Sequence, residues 1–165
     1  MIDELIFILT LLSALGCGLM AGFFCAFSIC VMKALSRLPP AQGITVMQII
    51  NVVVLNRVFF AAFLGTAAAC VLLGVSSLIR WHEPGALFRL IASALYLLGT
   101  LTVTIAFNVP RNDALATVQS DSADAVKHWE QFLPGWITWN HVRGAAAFFA
   151  AALFTIALCS SQVFD

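Results

Sequence analysis

The side chains able to do chemistry are few and fall into short runs. Asn51 stands near Gln48, Asn56 and Arg57; Asn108 and Asn112 flank Pro110 and Arg111; and Trp136-Ile137-Thr138-Trp139-Asn140-His141-Val142-Arg143 opens the last apolar stretch. On a helix Trp136, Trp139, Asn140 and Arg143 fall at i, i+3, i+4 and i+7 and share one stripe. His141 lies about 100° around the helix from Asn140. If Asn51, Asn108, Asn140 and Arg143 face inward, they form a donor-rich pocket roofed by tryptophans. Buried polar groups in lipid are costly unless satisfied, and an ionisable residue inside a membrane is a functional candidate by default. Plainer roles stay open. Trp129, Trp136 and Trp139 could form an aromatic belt at headgroup level. Asn51 and Asn108 could be hydrogen-bonding glue between helices. Arg57 and Arg143 could snorkel to phosphates, and Phe23, Phe24 and Phe27 could simply pack.

Several chemistries find little footing. His82, His128 and His141 are scattered, without carboxylate or thiolate partners at ligand spacing, so no metal site is expected. Haem axial ligands are equally scarce. The five cysteines lie in or beside apolar stretches with no Cys-x-x-Cys, which fits small buried hydrophobes better than a thiol-disulfide centre. Phosphate-binding loops, Ser-His-Asp arrangements and dinucleotide fingerprints are missing. Eight basic residues balance eight acidic ones, leaving no basic stripe for nucleic acid.

The elements that position these residues are membrane helices. Of the 165 residues 62% are hydrophobic and 10% charged, far from a soluble composition. Four windows carry no charge: Leu5 to Met32, Val58 to Ile79, Leu90 to Pro110 and Gly144 to Phe164. Each can cross about 30 Å of hydrocarbon, which takes roughly 20 apolar residues. Uninterrupted windows suit helices, not the alternating strands of a barrel. The first window begins Met1-Ile2-Asp3-Glu4, acidic where a signal peptide is basic, and is expected to stay as a helix.

The expected fold is all-α: an integral membrane four-helix up-down bundle with a short extra helix in the third loop, one domain over 1–165. Helices are expected at about 5–32, 45–79, 88–108 and 138–160, with the polar third loop and its short helix at about 112–133. Pro110 is expected to end or kink the third helix. This threading brings the end of helix one, the start of helix two, the end of helix three and the start of helix four to one membrane face, where the polar residues sit. The opposite face holds little beyond Arg80, Trp81, His82, Glu83 and Arg89, expected in a loop. Small residues every four positions, at Ala14, Gly18, Gly22 and Ala26 and at Ala61, Gly65 and Ala69, predict close helix contacts. Lys33, Arg37, Arg111 and Lys127 in the first and third loops, against Arg80 and Arg89, predict that those loops are cytoplasmic and the termini outside.

The segments Ala21-Gly22-Phe23-Phe24-Cys25-Ala26-Phe27-Ser28, Met47-Gln48-Ile49-Ile50-Asn51, Phe107-Asn108-Val109-Pro110-Arg111-Asn112-Asp113-Ala114-Leu115 and Trp136 to Arg143 resemble the anthrone oxygenase-like family. Its bacterial members mostly form a membrane domain of unknown function. The match covers nearly the whole chain, in order. It implies a small four-helix membrane protein, some of whose fungal relatives oxidise anthrones to anthraquinones with molecular oxygen and no evident cofactor, and a bacterial inner-membrane location. The positions that match are Asn51, Asn108, Asn112, Trp136, Trp139, Asn140, His141 and Arg143. The chain departs from the family at Arg57, where proline is expected, and at Arg111, where an apolar residue is expected.

The residues are compatible with a mechanism in which His141 takes a proton from a hydroxylated anthrone and the carbanion reacts with oxygen. Arg143 and the asparagine amides, Asn140 first, would stabilise the anion. Asn51, Asn108, Asn112, Trp136, Trp139, Phe24 and Phe27 would hold the flat substrate. Oxygen would be a co-substrate, with no cofactor. The alternative, from another class, is a non-catalytic protein binding a quinone, lipid or other hydrophobic small molecule, or an accessory subunit. Expected partners are membrane lipid and such a molecule, with an oligomer left open. Transport has little support without helix breaks at the midplane. The deciding feature is whether His141 faces the asparagine cluster or lipid.

Overall fold

A computed structural model describes residues 2–162, and Met1 and residues 163–165, including the end of the fourth window, lie outside them. The described residues form helices throughout: α1 (Ile2–Leu35), α2 (Pro40–Val53), α3 (Arg57–Ile79), α4 (Ala86–Ala116) and α5 (Ala125–Gln162). α1, α3, α4 and α5 are long and apolar enough to cross a membrane. Their up-and-down order places Asp3, at the start of α1, in an ion pair with Arg80 at the end of α3, and Arg80 also pairs with Glu83. The hydrogen bond from Arg80 to Asp3 raises the Arg80 pKa above its ordinary value.

Several boundaries differ from expectation. The helix expected over 45–79 is two helices, because Asn56 adopts an extended backbone and its side chain accepts from the amides of Val58 and Phe59, both at 3.0 Å. Asparagine is among the best residues for satisfying free amides at a helix start, so it starts α3 anew. Pro40 opens α2, where its missing N–H costs nothing. Helical residues of the third loop are present as extensions of the spans: α4 runs on to Ala116 and α5 begins at Ala125. Pro110 does not end α4. It follows a π-helical stretch, Thr104–Asn108, whose hydrogen bonds already skip a residue. Pro134 lies inside α5, and the carbonyl that loses its donor belongs to Glu130, an exposed residue that water can serve.

Two apolar cores result. The larger lies within the span and includes Cys17, Met20, Phe24, Phe63, Cys70, Leu73, Tyr96, Ala147 and Phe154. Lipid is as apolar as these side chains, so packing and hydrogen bonds hold the helices together; one is the Tyr96 hydroxyl donating to the Phe63 carbonyl at 3.1 Å. The second core caps the other end, where α2 lies across the ends of α1, α4 and α5. It joins Met32, Leu35, Ile44, Met47, Leu115, Trp129, Phe132 and Trp136. Trp129 and Trp136 are therefore core residues, 3% and 2% exposed, and form no headgroup belt. α2 comes so close that a Cβ on Gly43 would meet the Trp129 ring at 2.8 Å. The polar end is thus a small packed cap, tied down further by Gln48 Nε2 donating to the carbonyls of Leu115 and Val118 at 2.9 and 3.0 Å.

The small-residue stripes do not make the expected contacts. Gly18, Gly22 and Gly65 face open space outside the bundle. Close approach occurs instead at Gly99, where a Cβ would lie 2.5 Å from that of Ala146, and at Gly144, 3.3 Å from Phe24 Cβ. A four-residue spacing fixes one helix face but not its direction; here Thr10, Ser13, Cys17, Met20 and Phe24 claim the inner face of α1. The cysteines divide likewise: Cys17 and Cys70 are buried, while Cys25, Cys30 and Cys159 are exposed.

Candidate functional site

The buried stripe of α5 runs Trp136, Asn140, Arg143, Ala147, and it meets α1 and α4 where both change helical pitch. In α1 the π-helical stretch Phe27–Val31 follows directly on Phe24 and Ala26. Here Asn140 Nδ2 donates to the Phe24 carbonyl at 2.7 Å and to Ser28 Oγ at 2.6 Å. In α4 the stretches Leu95–Thr102 and Thr104–Asn108 are π-helical. Thr100 Oγ1 donates to the Arg143 carbonyl at 3.0 Å, and Thr104 Oγ1 donates to the Thr100 carbonyl at 2.7 Å. Widened turns of this kind shift side chains out of α-helical register and are frequent at functional sites.

Arg143 is the centre of the arrangement. Its Nε and Nη2 donate to Asn140 Oδ1 at 3.0 and 2.8 Å, and Nη1 donates to Thr104 Oγ1 at 3.2 Å. The guanidinium lies over the Phe24 ring at 4.1 Å and faces the Trp136 ring at 5.3 Å. It is 7% exposed, and among the described residues no carboxylate pairs with it. Neutral acceptors and ring faces solvate the cation without cancelling its charge, an arrangement that favours an anion close by.

Several expected residues gather here. Asn108 is fully buried, its Nδ2 donating to the Trp136 carbonyl at 3.3 Å and its Oδ1 left without a partner. Trp136 Nε1 donates to Asn112 Oδ1 at 2.8 Å, and the Phe27 ring lies 6.0 Å from that of Trp136. Phe24, Phe27, Asn108, Asn112, Trp136, Asn140 and Arg143 thus form one connected group. Ser28, Thr100 and Thr104 belong with them and were not singled out by sequence. The four-residue spacing of the threonines was their one visible signal.

Three residues stand apart. Trp139 is half-buried and stacks on Phe107, ring centroids 3.5 Å apart. Asn51 is carried on the separate α2; its Nδ2 is buried and makes no hydrogen bond. His141, one residue past Asn140, is exposed on the outside of the bundle. With α5 burying Asn140 and Arg143, helical geometry turns His141 outward, and the general-base role expected of it has no place within this group.

The opposite end of the bundle is richer than expected. Arg89 belongs to the first turns of α4, not to a loop, and is 4% exposed. It donates to the Pro84 carbonyl at 3.2 Å and lies 3.6 Å from Glu83, while its Nε and the hydroxyls of Ser77 and Ser93 lack hydrogen-bond partners. The turn before it requires Gly85, which has φ 77° and leaves no room for a Cβ against the Ala157 carbonyl at 2.9 Å. Among the described residues, no three His, Cys, Asp or Glu side chains converge at metal-binding range.

No curated protein and no solved structure matches the chain. The model of one family, described as anthrone oxygenase, matches residues 56–153, which include α3, α4 and the part of α5 bearing Trp136, Asn140 and Arg143. With more than half of its length matched, this four-helix membrane chain belongs to the anthrone oxygenase family.

Proposed function

We propose that the chain is a membrane oxygenase that holds a flat, lipid-soluble anthrone, phenol or hydroquinone as its anion beside Arg143 and lets it react with molecular oxygen. The observation that carries this reading is a buried guanidinium bound by neutral groups alone. In a low-dielectric site such a cation lowers the pKa of a bound acid and stabilises negative charge developing on it. With His141 outside, the proton leaves towards water at the capped end and no side-chain base is assigned.

For an anthrone, the methylene carbon loses a proton and the carbanion bonds to oxygen. The O–O bond of the resulting hydroperoxide then breaks as the second C–H proton leaves. One O2 is consumed, and one water and one anthraquinone are produced. No cofactor takes part in this scheme. In this proposal the capped end faces the cytoplasm, a reading supported by the Lys and Arg distribution in the loops.

The test is oxygen uptake by the protein in neutral nanodiscs supplied with a hydroxylated anthrone, measured against empty discs. Catalysis above autoxidation is expected, and Arg143→Gln should lower it at least a hundredfold while Arg143→Lys keeps part of it. An Arg143→Gln protein as active as wild type would overturn the reading. The outward His141 favours a second reading, a binding protein for such molecules without chemistry. Saturable binding that depends on Arg143, with oxygen uptake no faster than in empty discs, would select it.

A further inference from the structure

Beyond the Arg143 level, the end of α4, the residues after it and the start of α5 leave a half-open cavity of about 190 Å³ in the cap. Leu115, Val118 and Phe132 form apolar walls, while Arg111, His128 and Gln131 bring N–H groups, and no carboxylate lines it. Leu115 and Phe132 are buried members of the cap core, so one side of the cavity is firm. The carbonyls of Leu115 and Val118, which would repel an anion, are both engaged by Gln48 Nε2.

Arg111 is held in place. Its Nη1 donates to the Phe107 carbonyl at 2.7 Å, and the guanidinium lies so close over Gly135 that a Cβ there would meet Nε at 3.0 Å. Among the described residues no acid pairs with it. A planar cation fixed at the edge of an apolar cavity matches an oxyanion joined to a small apolar body. The volume suits one aromatic ring with its charged group, since a cavity of about 150 Å³ accepts benzene.

We propose that this cavity is a second binding site, separate from Arg143, which takes a small carboxylate or phosphate monoester with Arg111 on the oxyanion and Phe132 against the apolar part. The same chemistry is offered by a soluble aromatic acid and by the phosphate end of an anionic lipid. The site uses a different cation from the one at the centre of the α5 group. It does not depend on oxygen chemistry at Arg143.

The test is a ¹⁹F NMR titration of the protein in phosphatidylcholine nanodiscs with 4-fluorobenzoate and with its neutral counterpart, 4-fluorobenzamide. Saturable binding of the acid, at least tenfold tighter than the amide, is expected. Arg111→Gln should weaken the acid at least tenfold and leave the amide unchanged, so the amide also reports that the cavity is intact. Gly135→Ala, which pushes against Arg111, should weaken the acid several-fold. Competition by phosphatidic acid, whose headgroup is a phosphate monoester, would identify a lipid phosphate as the occupant, and its absence a soluble acid. Equal affinity for acid and amide, no saturable binding, or an Arg111→Gln protein that binds the acid like wild type would overturn the proposal.

Discussion

Arg143 grips the amide oxygen of Asn140 with two nitrogens, at 3.0 and 2.8 Å, and thereby turns the amide nitrogen towards α1, where it reaches the Phe24 carbonyl at 2.7 Å. One side chain therefore orients the cation and ties two spans together. A carboxylate at this position would make an ion pair with Arg143 but could not donate to Phe24 or Ser28.

Asn140→Asp should accordingly have two separable effects. Neutralising Arg143 from within removes the reason for an anion to bind, and oxygen uptake should fall at least tenfold. The lost donor, facing a buried carbonyl, should cost about 1–3 kcal/mol of stability, read as a lower unfolding midpoint in detergent. Unchanged uptake would mean that the lone charge of Arg143 has no part in function.

His141→Ala should change oxygen uptake less than twofold, because the imidazole lies outside the connected group. A tenfold loss would restore His141 as the base.

Two glycines of similar appearance should behave oppositely. Gly99→Ala forces a methyl to within 2.5 Å of Ala146 Cβ between α4 and α5, whereas Gly18→Ala adds one in open space. Overpacking a tight contact typically costs about 1–3 kcal/mol, so Gly99→Ala should lower the unfolding midpoint and Gly18→Ala should leave it unchanged. Equal behaviour would contradict this helix packing.

Ser93 and Thr100 offer a contrast within one helix. The buried Ser93 hydroxyl has no partner, while Thr100 bonds to the Arg143 carbonyl. Ser93→Ala should be neutral or stabilising, and Thr100→Val should cost about 0.5–1.5 kcal/mol. A marked loss in Ser93→Ala would show that this hydroxyl holds a water or ligand beside Arg89.

The number of spans was determined by sequence alone, since charge-free length is a local property and α1, α3, α4 and α5 each coincide with one of the four windows over the described residues. The collection of Asn108, Asn112, Trp136, Asn140 and Arg143 at one end followed from the order of threading. The break at Asn56 was legible in principle, an asparagine before an apolar run being a helix-start signal, yet the helical pattern on both sides masked it. Tertiary structure decided which way each face turns. The outward stripe of Gly18 and Gly22, the tryptophans drawn into the cap core and the outward His141 depend on which neighbour claims each helix side. The π-helical stretches in α1 and α4 add to this, because an extra residue in a turn rotates everything beyond it relative to the α-helical period. A pattern read at 3.6 residues per turn loses its phase there, next to the residues that matter most.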